Sequence, residues 1–213
     1  MSLTEANGVT MVRSLIRESV AKFWTDAEIS LYLQAAEQTI WARFSPWLYE
    51  SYKKVADFGT VASTATYTIA TAIATDVYKI AVICVKEDGD KLRYLHHDEM
   101  DNYKDWTTGF PVGWTYNGKT QVTLIPTPAM TDSDYLECYY MPKLTDLSSL
   151  PDSLQMLCCV DAAILAKVKD EEMDQTLMAL KTWHERAAEI DLAMYNIGQV
   201  EAFPDFLEED TLE

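Results

Sequence analysis

The densest group of residues that could carry chemistry is the run His96-His97-Asp98-Glu99. Imidazole and carboxylate groups bind zinc and similar divalent metals, and they act as general acids and bases in hydrolysis. Adjacent residues rarely point at one ion, however, and no second histidine-rich segment follows to complete a site. We therefore favour a solvated turn, and a small metal-dependent hydrolase that uses these four residues is the alternative enzyme hypothesis.

The rest of the chain offers no catalytic pattern. His184 begins the sequence HERAAE, which is not the H-E-x-x-H pattern of a metalloprotease, and no local feature pairs Cys138 with a histidine. The sequence contains no nucleophile elbow, phosphate-binding loop or paired Cys-x-x-Cys. The four cysteines have no framework spacing and are expected to be buried thiols. The sequence thus predicts no catalytic residue, no cofactor and no metal, which favours a structural or interaction protein.

The charge of the chain is its most informative bulk property. The 213 residues are 48% apolar and 24% charged, and they carry a formal net charge of −17 at pH 7. Affinity for nucleic acid comes mainly from clustered Lys and Arg, so this balance argues against a surface that grips phosphate. It fits ordinary solubility, or a surface that passes near DNA without adhering to it.

The sequence also bears on location. No apolar run approaches the roughly 20 residues that a membrane-spanning helix needs. The N-terminus lacks the basic and then apolar pattern of a secretion signal. We expect synthesis in the cytoplasm and no membrane partner.

Two helices are predicted near the N-terminus. The first spans about residues 10–23. The second begins with a capping box, in which Thr25 and Glu28 satisfy each other's backbone amides, and Pro46 should end or bend it near Phe44. Its apolar positions repeat at helical steps of four and three: Ile29, Leu33, Ala36, Ile40 and Phe44.

The middle of the chain changes to a strand pattern. Residues 78–85 are nearly continuous in apolar side chains, and an Asp-Gly turn at Gly89 predicts a hairpin that returns through residues 92–95. Asn117-Gly118 lies between two further strands and predicts a second tight hairpin. Residues 135–141 alternate as another strand. Four or five antiparallel strands of this kind predict a small sheet or sandwich.

An Ala- and Thr-rich stretch precedes these strands. It reads GTVASTATYTIATAIATD, with Tyr67 and Ile69 alternating with threonines, and it predicts a weak strand or an extended loop. Its small side chains suggest the close approach of another surface. A flexible connection is the alternative.

The chain then returns to helix. One helix is predicted to begin at Asp152, and a last helix follows the acidic run at residues 170–172. The expected apolar face of the first is Leu154, Leu157, Cys158, Leu165 and Val168. The last helix has a heptad-like seam of Thr176, Leu180, Trp183, Ala187, Ile190, Met194 and Ile197. We favour packing of this seam on helices of the same chain over self-association as a coiled coil.

The C-terminal tail is the clearest candidate for a partner-binding segment. From Gln199 onward it has six carboxylate side chains and no basic residue. A solvated tail is the default, but such a segment can also order on a partner, with aromatic residues as anchors. Aromatic residues are enriched at subunit contacts. The candidate interaction residues are therefore Phe203, Phe206, Leu207, Trp183 and Trp114.

Taken in order, these elements resemble the head-to-tail adaptor (connector, or head-completion) proteins of tailed bacteriophages, and they are similar to the tail tubular protein A type of short-tailed phages. The segments that carry the resemblance are WTDAEISLYLQAAEQTIW, PVGWTYNGKTQVTLIPTP, YYMPKL and LPDSLQMLCCVDAAILAK. Their order and spacing cover nearly the whole chain. In such proteins a proline often follows the tyrosine that opens the β region, whereas Ala70 and Thr71 stand here.

The resemblance implies an α+β fold, mainly α, in which a helical bundle from both chain ends carries an inserted antiparallel β-sheet or sandwich. The expected divisions are N-terminal helices at 1–54, the β region at 55–145, C-terminal helices at 146–198 and the acidic tail at 199–213.

The resemblance also implies a virion protein of the phage neck, assembled in the host cytoplasm and without enzymatic activity. Family members form a ring of about twelve copies that docks on the portal protein, extends the DNA channel and receives tail or nozzle proteins. DNA would pass through without specific binding, because a negative lumen opposes adhesion of phosphate. Another neck or tail-side component is the alternative within the same class.

Overall fold

The structure, a computed structural model, describes residues 3–18, 23–103, 107–169 and 175–195. It has the predicted α+β class, and the chain divides into two compact units. The helical unit comprises residues 1–48 and 144–213, and the strand unit comprises residues 49–143. In the described ranges, no helix combines the length and the hydropathy that crossing a membrane requires.

The described residues contain five α-helices. They are α1 (Glu5–Leu15), α2 (Asp26–Tyr52), α3 (Ile69–Ala72), α4 (Asp152–Lys169) and α5 (Gln175–Tyr195). Single 3-10 helical segments lie at His97–Tyr103 and Leu147–Ser149.

Helix α1 lies earlier in the chain than the apolar pattern predicted. The Thr4 Oγ1 atom caps its start by accepting a hydrogen bond of 3.3 Å from the Asn7 amide. Its end is a Schellman motif without glycine, because Arg17 takes the left-handed conformation with φ 60°. The amide of Glu18 donates to the Arg13 carbonyl at 2.9 Å, as that motif requires. The prediction of a helix over residues 10–23 was therefore wrong at both ends.

Gly8 lets helix α1 pack closely on its neighbours in the helical unit. A Cβ atom at this position would lie 2.8 Å from methyl groups of Leu33 and Leu147, so a larger residue would require these side chains to shift. Glycine disfavours a helix interior when read from sequence alone. Close packing in the helical unit outweighs that preference.

Helix α2 begins as predicted and ends later. The capping box is present, since the Thr25 amide donates to Glu28 Oε2 at 2.9 Å and the Glu28 amide donates to Thr25 Oγ1 at 3.2 Å. The helix continues past Pro46 to Tyr52, so of the two predicted effects of Pro46, an end or a bend near Phe44, the end was wrong. Proline removes one backbone hydrogen bond, but buried side chains on both sides of it, Phe44 and Leu48, hold the helix together.

Helix α4 buries a narrower face than predicted. Leu154, Leu157 and Cys158 are buried, whereas Leu165 and Val168 are exposed near the C-terminal end of the helix. The predicted apolar face is thus correct for the first half of the helix and wrong for the second.

The strand unit contains nine strands among its described residues. They are β1 (Lys54–Thr60), β2 (Thr66–Thr68), β3 (Val77–Val85), β4 (Arg93–Tyr94), β5 (Thr108–Gly109), β6 (Gly113–Asn117), β7 (Gln121–Ile125), β8 (Thr127–Pro128) and β9 (Asp132–Pro142). The strand orders of the sheets are β1-β9-β3, β2-β7-β6-β4 and β5-β8. Most pairs are antiparallel, but β4 with β6 and β5 with β8 are parallel.

The two predicted hairpins have different outcomes. Strands β6 and β7 form the expected tight hairpin, in which Asn117 pairs with Gln121 and Gly118 has φ 68°. The turn at Gly89 also forms, with φ 72°, but the returning chain makes only one bridge to β3. It then joins the other sheet as β4, parallel to β6, so the antiparallel return through residues 92–95 was wrong.

One core joins the two larger sheets of the strand unit. Its fully buried members include Phe58 on β1, Ile83 on β3, Val122 on β7 and Leu136 on β9. The Phe58 ring meets the Tyr67 ring edge-on, with centroids 5.1 Å apart. Tyr67 in the Ala- and Thr-rich stretch is therefore anchored, and part of that stretch is strand β2 followed by the single turn of α3.

Candidate interaction surfaces

The histidine-containing run forms the start of a 3-10 segment. Glu99 is already engaged, because its side chain accepts a hydrogen bond of 3.2 Å from the His96 amide and pairs with Arg93. The His96 ring packs edge-on against Tyr94, with centroids 5.2 Å apart. Within the described part of the chain, no group of three or more His, Cys, Asp or Glu side chains is placed to hold a metal ion.

Burial shifts the pKa of Cys138, the potential nucleophile, and of His184, a potential base. Cys138 is fully buried, and burial together with neighbouring Cys84 raises the pKa of its thiol to about 12. A thiol that stays protonated is a poor nucleophile. His184 is half-buried, and burial lowers its pKa below the ordinary value.

Helix α5 turns an unexpected stripe toward helix α4. The inward stripe advances in steps of four and three residues: Leu177, Lys181, His184, Ala188 and Asp191. Two of its polar members have partners on α4, since the Lys181 Nζ atom lies 2.9 Å from Asp161 Oδ1, and Asp191 accepts a hydrogen bond of 2.8 Å from Ser153. Paired in this way, polar side chains can occupy positions that a hydrophobic pattern assigns to solvent.

The two largest members of the predicted seam that the structure describes are exposed, whereas Leu180 and Ala187 are half-buried and Ile197 lies outside the described residues. Trp183 is 63% exposed and Ile190 is 66% exposed. We call the exposed stripe of Ala179, Trp183, Arg186, Ile190 and Ala193 the outer face of α5. Packing of the seam on helices of the same chain was therefore wrong for Trp183 and Ile190, which remain uncovered.

A salt bridge to α2 lies beside this face. Arg43 on α2 contacts Glu185 at 2.5 Å and Glu189 at 3.2 Å. These exposed pairs contribute little to stability. Arg43 does offset one of these two negative charges next to the outer face of α5, which itself carries a single charged side chain, Arg186.

Trp114 lies in the core of the strand unit and not on its surface. It is 3% exposed and packs against Tyr94 and Tyr116, with ring centroids 4.9 and 5.3 Å away. Its indole is too deeply buried to be a direct anchor for a partner, which corrects the prediction for that residue. Tyr94 is the partly exposed member of this aromatic group.

The remaining predicted interaction residues, Phe203, Phe206 and Leu207, lie outside the described residues. Sequence reasoning did not single out Phe110, an exposed aromatic residue of the strand unit. The signal was present, because Phe110 stands between Gly109 and Pro111, where a regular strand with a buried face is disfavoured.

The two units differ sharply in charge. The helical unit has 21 acidic and 8 basic side chains, a formal charge of −13, whereas the strand unit has 13 acidic and 9 basic side chains, a formal charge of −4. The acidity noted from composition is therefore mainly a property of the helical unit.

Among the described acidic residues of the helical unit, one is buried. Glu37 on α2 is 7% exposed, and its Oε1 atom has no hydrogen-bond partner among the described residues. Burial, followed by the negative charges of Glu5 and Asp146, raises the pKa of Glu37 to about 7. Near neutral pH this carboxyl therefore gains or loses a proton.

The chain is similar to proteins of known family and structure. No curated protein matches the chain. Among solved structures, a chain from the "neck of empty GTA particle computed with C6 symmetry" is similar over 78% of this chain and 83% of that chain, with 15% sequence identity and a TM-score of 0.27. The profile of the family described as SU10 adaptor protein matches residues 7–202. The chain therefore belongs to the SU10 adaptor protein family, which confirms the head-to-tail adaptor that the resemblance predicted.

Proposed function

We propose that copies of this adaptor form a closed ring of about twelve subunits that docks on the portal protein, extends the DNA channel and receives tail or nozzle proteins. The role is structural and has no catalytic step. It is carried out in the virion neck, after assembly in the host cytoplasm.

The proposed domain arrangement follows the two units. We propose that the helices of both chain ends form a bundle, and that the two larger sheets form a sandwich inserted into it. The functional divisions are residues 1–54, 55–145, 146–198 and 199–213. The last of these, the acidic tail, is treated as a separate binding segment.

The outer face of α5 is the observation that carries this proposal. Trp183 and Ile190 are large apolar side chains that one copy leaves mostly uncovered. Exposed apolar surface of this kind marks interaction sites, and aromatic residues dominate the binding energy of many interfaces. We assign this face to contacts between neighbouring copies. Trp114 contributes indirectly, by supporting the partly exposed Tyr94.

The charge of the helical unit supports the channel role. A unit with a formal charge of −13 repels DNA phosphate, so carboxylates that line the lumen would let DNA pass without adhesion. We therefore place acidic side chains of the helical unit on the channel wall.

The acidic tail is proposed to order on the portal or on a neighbouring copy. Phe203, Phe206 and Leu207 would act as its apolar anchors. Deletion of residues 199–213 should then weaken docking and leave the melting temperature unchanged. Docking that is unaffected by the deletion removes the tail from the proposal.

Native mass spectrometry of the purified protein, alone and mixed with portal rings, tests the proposal. We expect a ring-sized complex with portal, and the double substitution Trp183→Ala with Ile190→Ala should reduce its formation. Leu165→Ala with Val168→Ala is the matched control, because these α4 side chains are also exposed. A stable monomer without affinity for portal, or for any tail protein, contradicts the proposal. Stoichiometric zinc or manganese in that monomer would instead favour the hydrolase hypothesis.

A further inference from the structure

Three segments of the strand unit form a surface that contains no charged residue. They are residues 60–65, 107–113 and 126–131, which we call the neutral loop cluster. All 19 of its residues are uncharged, although 24% of the residues in the whole chain are charged. The first segment belongs to the Ala- and Thr-rich stretch, whose small side chains already suggested the close approach of another surface.

Hydrogen bonds connect the three segments into one continuous surface. The Ser63 amide donates to the Pro128 carbonyl at 2.9 Å, and the Ala129 amide donates to the Gly109 carbonyl at 3.0 Å. Thr60 Oγ1 donates to the Met130 carbonyl at 3.3 Å. Strands β5 and β8 pair within the cluster. The segments therefore hold one another in place.

Tyr67 holds the first segment from the core side. Its hydroxyl donates to the Thr64 carbonyl at 2.8 Å and accepts from the Val61 amide at 3.0 Å. The Tyr67 ring is buried against Phe58. The backbone of this segment is thus anchored, while its side chains remain available at the surface.

The cluster exposes apolar side chains from all three segments. Phe110 is 66% exposed, and Val61, Val112 and Met130 are also exposed. Two aspartates near these segments share one lysine, because Lys86 lies 2.8 Å from Asp57 and also pairs with Asp134, so one of their two negative charges is offset. The cluster is therefore an apolar patch without charged residues of its own on a strongly acidic protein.

We propose that the neutral loop cluster is a second contact between neighbouring copies of this chain. This inference rests on the proposed ring. Two copies with a net charge of −17 each repel one another, and an uncharged surface lets them meet without adding to that repulsion. A closed ring also needs two different faces on each copy, and the outer face of α5 supplies only one.

Other occupants fit the cluster less well. Nucleic acid is bound through Lys and Arg, and the cluster has neither. A basic protein would be drawn to the carboxylates of the helical unit. Four partly exposed apolar side chains are also far less than the roughly 800 Å² per partner of a stable interface, so the cluster would act together with other contacts around a ring.

The test compares two substitutions that add the same charge at similarly exposed apolar positions. Phe110→Asp changes the cluster, and Leu31→Asp on α2 is the control. Self-association of the full-length protein is measured by analytical ultracentrifugation at about 0.05 M and about 0.5 M salt, with and without portal rings. We expect wild-type association to strengthen with salt, Phe110→Asp to weaken it by about tenfold or more, and the control to stay near wild type. Unchanged melting temperatures establish that both variants fold.

A photo-crosslinking residue in place of Phe110 identifies the occupant. Crosslinks between copies of the chain are expected. Crosslinks to portal instead of a second copy overturn the inference, and so does a ring that tolerates Phe110→Asp; both results leave the proposed ring in place. A wild-type protein that forms no ring, alone or on portal, contradicts the proposed function itself and the inference with it.

Discussion

The helical unit and the strand unit differ in the kind of polar side chain that links their elements. In the helical unit, buried or half-buried ionisable groups link the elements, as with Arg13, which donates to Asp26 at 2.6 Å and to the Trp24 carbonyl at 2.9 Å. In the strand unit, tyrosine hydroxyls do this work, as with Tyr116, which accepts from the Ile80 amide at 2.7 Å. The helical unit also contains two groups that make stability depend on pH near neutrality, because burial raises the pKa of Glu37 to about 7 and lowers the pKa of His184, whereas tyrosine hydroxyls do not titrate in that range. The difference therefore predicts a pH-sensitive helical unit and a pH-insensitive strand unit.

The largest expected effect comes from the core of the strand unit. Phe58→Ala removes a fully buried ring that packs against Tyr67, so the free energy of unfolding should fall by about 3–5 kcal/mol. Urea denaturation measures this loss, which should be the same at about pH 5 and about pH 8. Phe58→Leu is the milder control, with an expected loss of about 1.5 kcal/mol. A loss that changes strongly with pH would break the distinction between the units.

A smaller effect should come from Glu37 in the helical unit. Its folded-state pKa of about 7 lies above the ordinary 4.5, so the folded protein keeps a proton that the unfolded chain releases. Stability from this group is present at low pH and is lost as pH rises from about 4.5 to about 7, by at most about 2–3 kcal/mol. Glu37→Gln should abolish this loss, as measured by urea denaturation across that range.

His184 opposes Glu37 over part of the same range. Its pKa is lowered by burial, so its contribution to stability grows as pH rises toward about 6.5. Glu37→Gln should therefore leave a profile that rises with pH or stays flat. The exposed Glu189→Gln is the control and should keep the wild-type profile. If Glu37→Gln also keeps the wild-type dependence of stability on pH, Glu37 is not the group responsible for that dependence.

The smallest expected effect concerns the start of α2. Thr25→Ala removes one half of the capping box and should cost about 1 kcal/mol. Thr39→Ala, at an exposed position inside the same helix, should cost nothing or stabilise slightly, because alanine is the better helix former. Thermal melts of the two variants separate the cap from general helix propensity. Equal melting temperatures would mean that the cap contributes nothing here.

Local signals in the sequence predicted the local structure well. The capping box of Thr25 and Glu28, and the Asn117-Gly118 hairpin, depend on residues a few positions apart and are confirmed. Long-range pairing was not predictable in the same way. Strand β4 leaves the Gly89 turn for a parallel partner, and nothing in its two residues indicates that choice.

The candidate surface shows a different limit of sequence reasoning. On α5, the hydrophobic pattern predicts that the apolar stripe through Trp183 and Ile190 faces the same chain. The stripe that actually does so contains the polar residues Lys181 and Asp191, which such a pattern assigns to solvent. Partners on α4 pair with those polar residues, and the pattern of residues along α5 alone does not reveal such partners. The stripe that looked like core is therefore surface, and this error exposes the proposed contact between copies.

The most direct test of the adaptor account is a cryo-EM structure of the protein assembled on its portal. The account predicts a closed ring in which carboxylates of the helical unit line the channel and Trp183 lies between neighbouring copies. A ring with a strongly basic lumen would contradict the channel role, and a ring with Trp183 still facing solvent would contradict the assignment of the copy contact.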